Sequence, residues 1–349
     1  MTLTIVAGHD DIADIPTPAE RITLLGRAAE WGQLQSALTD GRLHHAWLFQ
    51  GPEGIGKATT AYAFARRLIG GEGVLVDQAH GEPSFHEDHP VLRQMAQGSH
   101  PNFLHIRRPP MDRGEGFRTQ ITVDEVRRLN HFFRSTAADN WRVALIDPAD
   151  DMNRNAANAL LKILEEPPER SIFLIVNHMP GRLLPTIRSR ARTLRFSPLS
   201  AEAVARGLAA SFPEQDASSI TAAAKLSGGS LRSAYHQIVS GGLEIMQEVD
   251  KVYGAGRTDW RHVHALADSL SQKGREEAWG LVRDGLFDRL AQDARRAVTT
   301  GDQRLGAALA EFWRSETGRW QDAAAFNLDR KQTLITFASG LAAVREKNR

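Results

Sequence analysis

Four short runs, residues 45–49, 143–147, 172–176 and 193–196, are dense in Val, Ile, Leu, Phe and Ala with almost no polar interruption. They are too short for helices and predict strands buried on both faces. Longer stretches between them repeat their apolar positions every three to four residues. Leu34 and Leu38 share a face within 21–43, and Ala157, Leu160, Leu161 and Leu164 share one within 153–165. Further helices are predicted over 57–69, over 121–133 and, briefly, over 183–190. Thr122 and Glu125 have the spacing of a capping box at the start of 121–133. Pro167 and Pro168 end the 153–165 helix. Residues 1–20 read as a loosely held lead-in, and 70–120 as irregular chain rich in Gly, Pro and His. Strands alternating with helices predict an α/β fold, a doubly wound parallel sheet whose ligands sit beyond the C-terminal strand ends. Gly51, Asp147 and Asn177 fall at such ends.

Ser197-Pro198-Leu199-Ser200 reads as a hinge, with Ser200 capping the next helix. Only helical patterns follow, and no repeat or low-complexity tract is present. The expected division is 1–198 for the sheet domain, 199–242 for a small helical segment and 243–349 for a separate all-helical domain. A chain of 349 residues exceeds what one core usually organises.

The first of the four runs feeds directly into Gly51-Pro52-Glu53-Gly54-Ile55-Gly56-Lys57. Strand, glycine loop and helix in this order are the context of a phosphate-binding loop. Gly51, Gly54 and Gly56 let successive backbone N–H groups turn inward, and Lys57 reaches the outer phosphates. The next residue should carry the hydroxyl that holds Mg²⁺, yet it is Ala58. Thr59 follows about 100° further round the helix and is a poor substitute. Asp147 ends a buried strand, where an NTPase keeps its metal-organising acid. The water-activating carboxylate expected next is replaced by Pro148. Asp150 and Asp151 follow, read as helix N-terminal charge. With both Ala58 and Pro148 in place, the chain reads as an NTPase fold that no longer turns over. Whether ATP or ADP is still held, without hydrolysis, the sequence leaves open.

Composition narrows this only a little. The hydrophobic share of 42% and charged share of 24% are ordinary for a globular chain. The absence of Cys excludes disulfides, thiol catalysis and Cys-based zinc. A net charge of +1 provides no global attraction to nucleic acid. The start of the chain lacks the basic-then-apolar pattern of a signal peptide, and no run is long enough to span a membrane. A cytoplasmic protein is expected.

Residues 41–49 with the following P-loop, the run Asn155-Ala156-Ala157-Asn158-Ala159-Leu160-Leu161-Lys162-Ile163-Leu164-Glu165-Glu166-Pro167-Pro168, and Arg188-Ser189-Arg190-Ala191 together resemble the bacterial DNA polymerase III clamp-loader subunits of the AAA+ class. The family's Ser-Arg-Cys motif has Ala191 at its Cys. The altered P-loop and acid position resemble the delta-prime type rather than the motor type. The resemblance implies an AAA+ domain, a helical lid and a C-terminal oligomerisation collar. It implies that Arg190 is an arginine finger acting in trans, that Asn177 is a polar sensor and that Arg232, in Gly228-Gly229-Ser230-Leu231-Arg232, is a second sensor. Implied partners are the gamma/tau motor subunits, the delta subunit, the sliding clamp and primer–template DNA, within a nucleoid-associated replisome.

Other readings remain beside this one. A surface Arg, a strand-end cap and a solvated helix charge are the plain alternatives for Arg190, Asn177 and Arg232. An active AAA+ ATPase would recruit metal and water through Thr59 and Asp150, and a P-loop kinase would need a small-molecule site that 199–349 does not suggest. Relatives carry a four-Cys zinc module near 70–105. Here His80, His86, His89, His100 and His105 occupy that stretch, and a loop packed by Phe85, Val91, Leu92 and Phe103 without zinc is expected. Arg127, Arg128 and Arg134 are candidates for DNA backbone contact.

Overall fold

The computed structural model describes residues 8–77, 81–111, 116–134, 140–239, 242–254, 259–272, 275–326 and 328–348. The chain forms two compact units, Met1–Tyr235 and His236–Arg349.

The first unit is built on strands β1 (Ala46–Gln50), β4 (Phe103–Ile106), β5 (Arg142–Ile146), β6 (Ser171–Asn177) and β7 (Arg192–Arg195), with a small antiparallel pair, β2 (Leu75–Asp77) and β3 (Ser84–Phe85), beside them. The main sheet runs in the order β4-β5-β6-β1-β7, and every pairing is parallel. Register is set by apolar pairs such as Trp47 against Leu174 and Ile146 against Ile175. Successive residues feed opposite cores. Trp47 and Phe49 of β1, with Ile172 and Leu174 of β6, pack beneath helices α1 (Ala28–Thr39) and α2 (Lys57–Gly70) through Trp31, Leu34 and Phe64. Ala46 and Leu48, with Phe173 and Ile175, pack on the other face. They meet Val126 and Leu129 of α4 (Val123–Arg134), Leu160 and Leu164 of α5 (Arg154–Glu165), and Ile187 of α6 (Pro185–Arg188). This two-sided burial makes the central strands continuously apolar rather than alternating.

Helix starts follow their caps. Asn153 accepts from the Ala156 N–H at 2.9 Å to open α5, and Ser200 does the same for Ala203 to open α7 (Ala201–Ser211). The capping-box position is kept in part: α4 starts directly after Thr122, while the Glu125 carboxylate accepts from Arg128 at 2.6 Å.

Three expectations are corrected. The helix predicted over 21–43 is only Ala28–Thr39. The stretch read as irregular, 70–120, contains α3 (Pro90–Ala96) and β4, a full member of the main sheet paired with β5. The end of the lead-in is held: Arg66 of α2 is buried and donates to the carbonyl of Ala19 and to that of Arg21 just beyond it, while residues 1–7 lie outside the described residues. Phe85, Leu92 and Phe103 are buried in the first core with Val91 packed against it. The histidines there take separate posts. His86 is exposed, His89 caps α3 by accepting from Val91 N–H at 3.2 Å, and His100 accepts from Asn102 N–H at 3.1 Å. His80 lies outside the described residues.

After the hinge, α7, α8 (Ala217–Leu226) and α9 (Leu231–Val239) follow without strands among the described residues. The second unit holds α10 (Gly242–Tyr253), α11 (Trp260–Leu270), α12 (Glu276–Thr299), α13 (Gln303–Ala325) and α14 (Arg330–Lys347). Its core packs Val263, Leu286, Leu290, Leu334 and Phe337, with Trp279 stacked on Trp320 at 4.8 Å. No described helix is long and apolar enough to cross a membrane.

Candidate functional site

Gly51, Asp147 and Asn177 stand at the C-terminal ends of β1, β5 and β6 as the parallel sheet requires. One cleft opens there. It is lined by Gly54, Gly56, Lys57, Ala58 and Thr59 of the loop and α2, by Asp147, by His178, and by Arg232 of α9. Residues 10–12 and 15–18 form its outer wall, so a segment read as lead-in is part of the site.

The glycine loop is shaped by its neighbours. Gly54 has φ +74°, and a Cβ there would lie 2.3 Å from Ser230 Oγ and 2.6 Å from Arg232 Cβ. Only glycine fits such a contact in such a backbone. The Arg232 N–H donates to Gly54 O at 3.2 Å, which ties the start of α9 to the loop. Arg27 completes the frame. Its guanidinium is buried, donates through Nε to Ile55 O at 3.0 Å and through Nη1 to Ser197 O at 2.8 Å, and pairs with Glu30 at 3.0 Å. Loop, hinge and α1 are thereby joined by one side chain. Nothing in the sequence distinguished Arg27, since its partners are 28 and 170 residues away.

The charges of the cleft are largely answered from within. Lys57 Nζ donates to Gly51 O at 2.7 Å and to Pro52 O. Burial pushes its pKa down to about 8, against the pull of Asp147, Glu53 and Asp150. Arg232 faces Asp10 at 3.5 Å and Glu53 at 3.8 Å. Burial, and then the charge of Asp10, push Asp147 up to about 7, while Lys57 opposes them. His105 Nε2 lies 3.9 Å from Asp147 Oδ2, and its Nδ1 is 3.0 Å from the Tyr62 hydroxyl. Burial holds His105 and His178 neutral, each pushed down to about 3. An entering phosphate would therefore have to displace Lys57 from carbonyls and Arg232 from carboxylates.

The donor set does not fit a catalytic Mg²⁺. Ala58 stands in the cleft where a hydroxyl is needed, and the Thr60 hydroxyl donates to Gly56 O at 2.9 Å. Pro148 is buried after Asp147. Asp150, the alternative acid, accepts from Asn177 Nδ2 at 2.8 Å and from the N–H groups of His178 and Met179 at 2.6 and 2.8 Å. With Asp151 it lies in the first turn of a short 3₁₀ helix, Ala149–Asp151, as expected of helix N-terminal charge, and it also organises the turn after β6. Asn177 is fully buried, and it also accepts from Gln50 Nε2 at 3.2 Å and donates to Met179 O at 3.2 Å. Thr59 lines the cleft.

Arg190 stands apart from this cleft. Its Nη1 donates to Thr186 O at 3.1 Å, and its Nη2 pairs at 2.8 Å with Glu165 at the end of α5. The side chain is 35% exposed, so one part of the guanidinium remains open to an outside group.

Comparison with known proteins gives this geometry a family. The family model described as DNA polymerase III, delta subunit, matches residues 26–200, half of the chain and the whole cleft-bearing sheet. The chain belongs to this family. Among similar proteins, DNA polymerase III subunit delta' of Pseudomonas aeruginosa is 36% identical over 203 residues, 57% of this chain and 58% of that protein. The Bacillus subtilis subunit delta' is 34% identical over 172 residues, 49% of this chain and 47% of that one. DNA polymerase III subunit gamma/tau of Mycobacterium tuberculosis is 30% identical over 292 residues, 81% of this chain and 48% of its own. The chain thus spans about half the length of the curated relatives it matches, and within the family it sides with the delta-prime type.

Proposed function

We propose that this chain is a non-hydrolysing subunit of the DNA polymerase III clamp loader, which organises the assembly and supplies Arg190 to a nucleotide bound by a neighbouring gamma/tau motor subunit. The observation that carries the reading is the separation of two halves of an NTPase site. The cleft keeps Lys57 and Asp147 but has Ala58 and Pro148 at the metal and water positions. The Arg190 guanidinium lies outside it and is partly exposed. A permanently charged, planar group can spread its donors over phosphoryl oxygens as charge develops in transfer. The delta subunit, the sliding clamp and primer–template DNA would be the further partners. DNA contact through Arg127 and Arg128 would compete with their pairs to Asp124 at 2.9 Å and Glu125 at 2.6 Å. The side chain of Arg134 lies outside the described residues. The second sensor role of Arg232 is supported by its tie to the loop.

The test is Arg190→Ala in the reconstituted complex. Assembly should persist, and DNA-stimulated ATP turnover should fall about 10³-fold at the affected motor site, the low end for loss of an arginine finger. Turnover at the wild-type rate would remove the trans role. The second reading, an active ATPase, draws only on Thr59 in the cleft, and Asp150 is already committed to three donors.

A further inference from the structure

We propose that Glu165 is the positioning residue for Arg190, holding its guanidinium so that the open edge faces outward before any partner arrives. The inference rests on the trans-acting role proposed above and adds the group on which that role depends. Glu165 is the last residue of α5, and Pro167 and Pro168 follow the Glu166 cap. Arg190 follows α6, with its N–H donating to Ile187 O at 3.1 Å. The two helices share one core, in which Leu164 beside Glu165 and Ile187 near Arg190 are both buried. The Glu165 backbone and the Thr186 carbonyl are therefore fixed relative to each other, and the Glu165 carboxylate and that carbonyl each take one terminal nitrogen of the same guanidinium, at 2.8 and 3.1 Å. Two anchors on two packed helices define the plane of the group and leave its remaining N–H donors for an acceptor outside.

The neighbouring arginines show that this is not a general property of a basic surface. Among the described residues Arg182, Arg188 and Arg195 have no carboxylate partner, and Arg192 lies over the Trp47 ring at 4.9 Å. Arg190 is the one in this stretch held by an acid. An exposed pair of this kind adds little to global stability. Its effect is local: an arginine with several free torsions would otherwise be ordered at the moment of reaction, at the expense of the rate.

Three variants in the reconstituted complex separate the possibilities, with steady-state ATP kinetics as the readout. Glu165→Ala should lower kcat about 5- to 30-fold, the rate equivalent of ordering one long side chain, with KM for ATP unchanged. Glu165→Gln, which keeps a hydrogen-bond acceptor, should restore most of the rate. Glu165→Ala combined with Arg190→Ala should be no slower than Arg190→Ala alone. Wild-type or faster turnover of Glu165→Ala, beside a defective Arg190→Ala, would overturn the positioning role and leave the finger intact. A double variant slower than Arg190→Ala would show that Glu165 acts elsewhere and would also overturn it. A wild-type rate for Arg190→Ala would instead remove the reading on which both rest.

Discussion

Asp147 is poised near its midpoint at neutral pH because burial and the charge of Asp10 outweigh the help of Lys57. Its folded pKa of about 7 lies above the ordinary 3.8. The stability it gives is therefore present below about pH 4 and is lost as pH rises through 7. His105 and His178 behave oppositely. Each is held neutral, with a folded pKa of about 3 against 6.5. Their contribution is present above 6.5 and is lost as pH falls toward 3. Between about pH 4 and 6.5 the acid offsets one histidine. Asp147→Asn should remove that offset, making stability rise more steeply with pH than in the unsubstituted chain, by about 1.4 kcal/mol per unit. It should also stabilise the fold above pH 7. Urea unfolding across this range checks both, and parallel curves for the two proteins would show that Asp147 is not perturbed by its surroundings. At this scale the sequence was readable where chemistry is local. Gly51, Gly54, Gly56 and Lys57 announce themselves by spacing within seven residues. Arg27, Glu165 and His105 do not, because each acquires its role from a partner brought near by folding.

The hinge and the start of α9 show how elements hold the cleft. Gly229 has φ +82°, its carbonyl accepts from the Leu199 N–H at 3.0 Å, and a Cβ there would meet Leu199 O at 2.5 Å. Gly228 is also left-handed, at φ +60°, but faces open space. Gly229→Ala should therefore cost about 1–3 kcal/mol, and Gly228→Ala clearly less. Equal losses in chemical denaturation would show that backbone conformation alone, and not the contact with the hinge, sets the cost. Among the elements, the central strands were legible because burial on both faces writes them as unbroken apolar runs. β4 was not: His105 interrupts Phe103-Leu104-His105-Ile106, and Gly, Pro and His surround it. Its place comes from pairing with Val143–Ile146, a long-range fact. The outer wall of the cleft is equally hard to read, since the chain just after it is held by Arg66 through the carbonyls of Ala19 and Arg21, which carry no side-chain signature.

Over the whole molecule, a parallel sheet with helices on both faces carries the cleft, and an all-helical unit follows it. The fold class was readable from the alternation of strand and helix patterns, and the family from three motifs within the matched region. The second unit offered only helical periodicity, which reports packing and not partners, so its part in assembly rests on the family proposal. The proposed role turns on the first unit, whose cleft has Ala58 and Pro148 where hydrolysis would call for a metal-binding hydroxyl and a water-activating acid. ATP turnover by the purified lone chain with Mg²⁺, beside its Lys57→Ala variant, tests this most directly. Equal, background-level phosphate release from both is the predicted result. Sustained hydrolysis by the unsubstituted chain that Lys57→Ala abolishes would contradict the account.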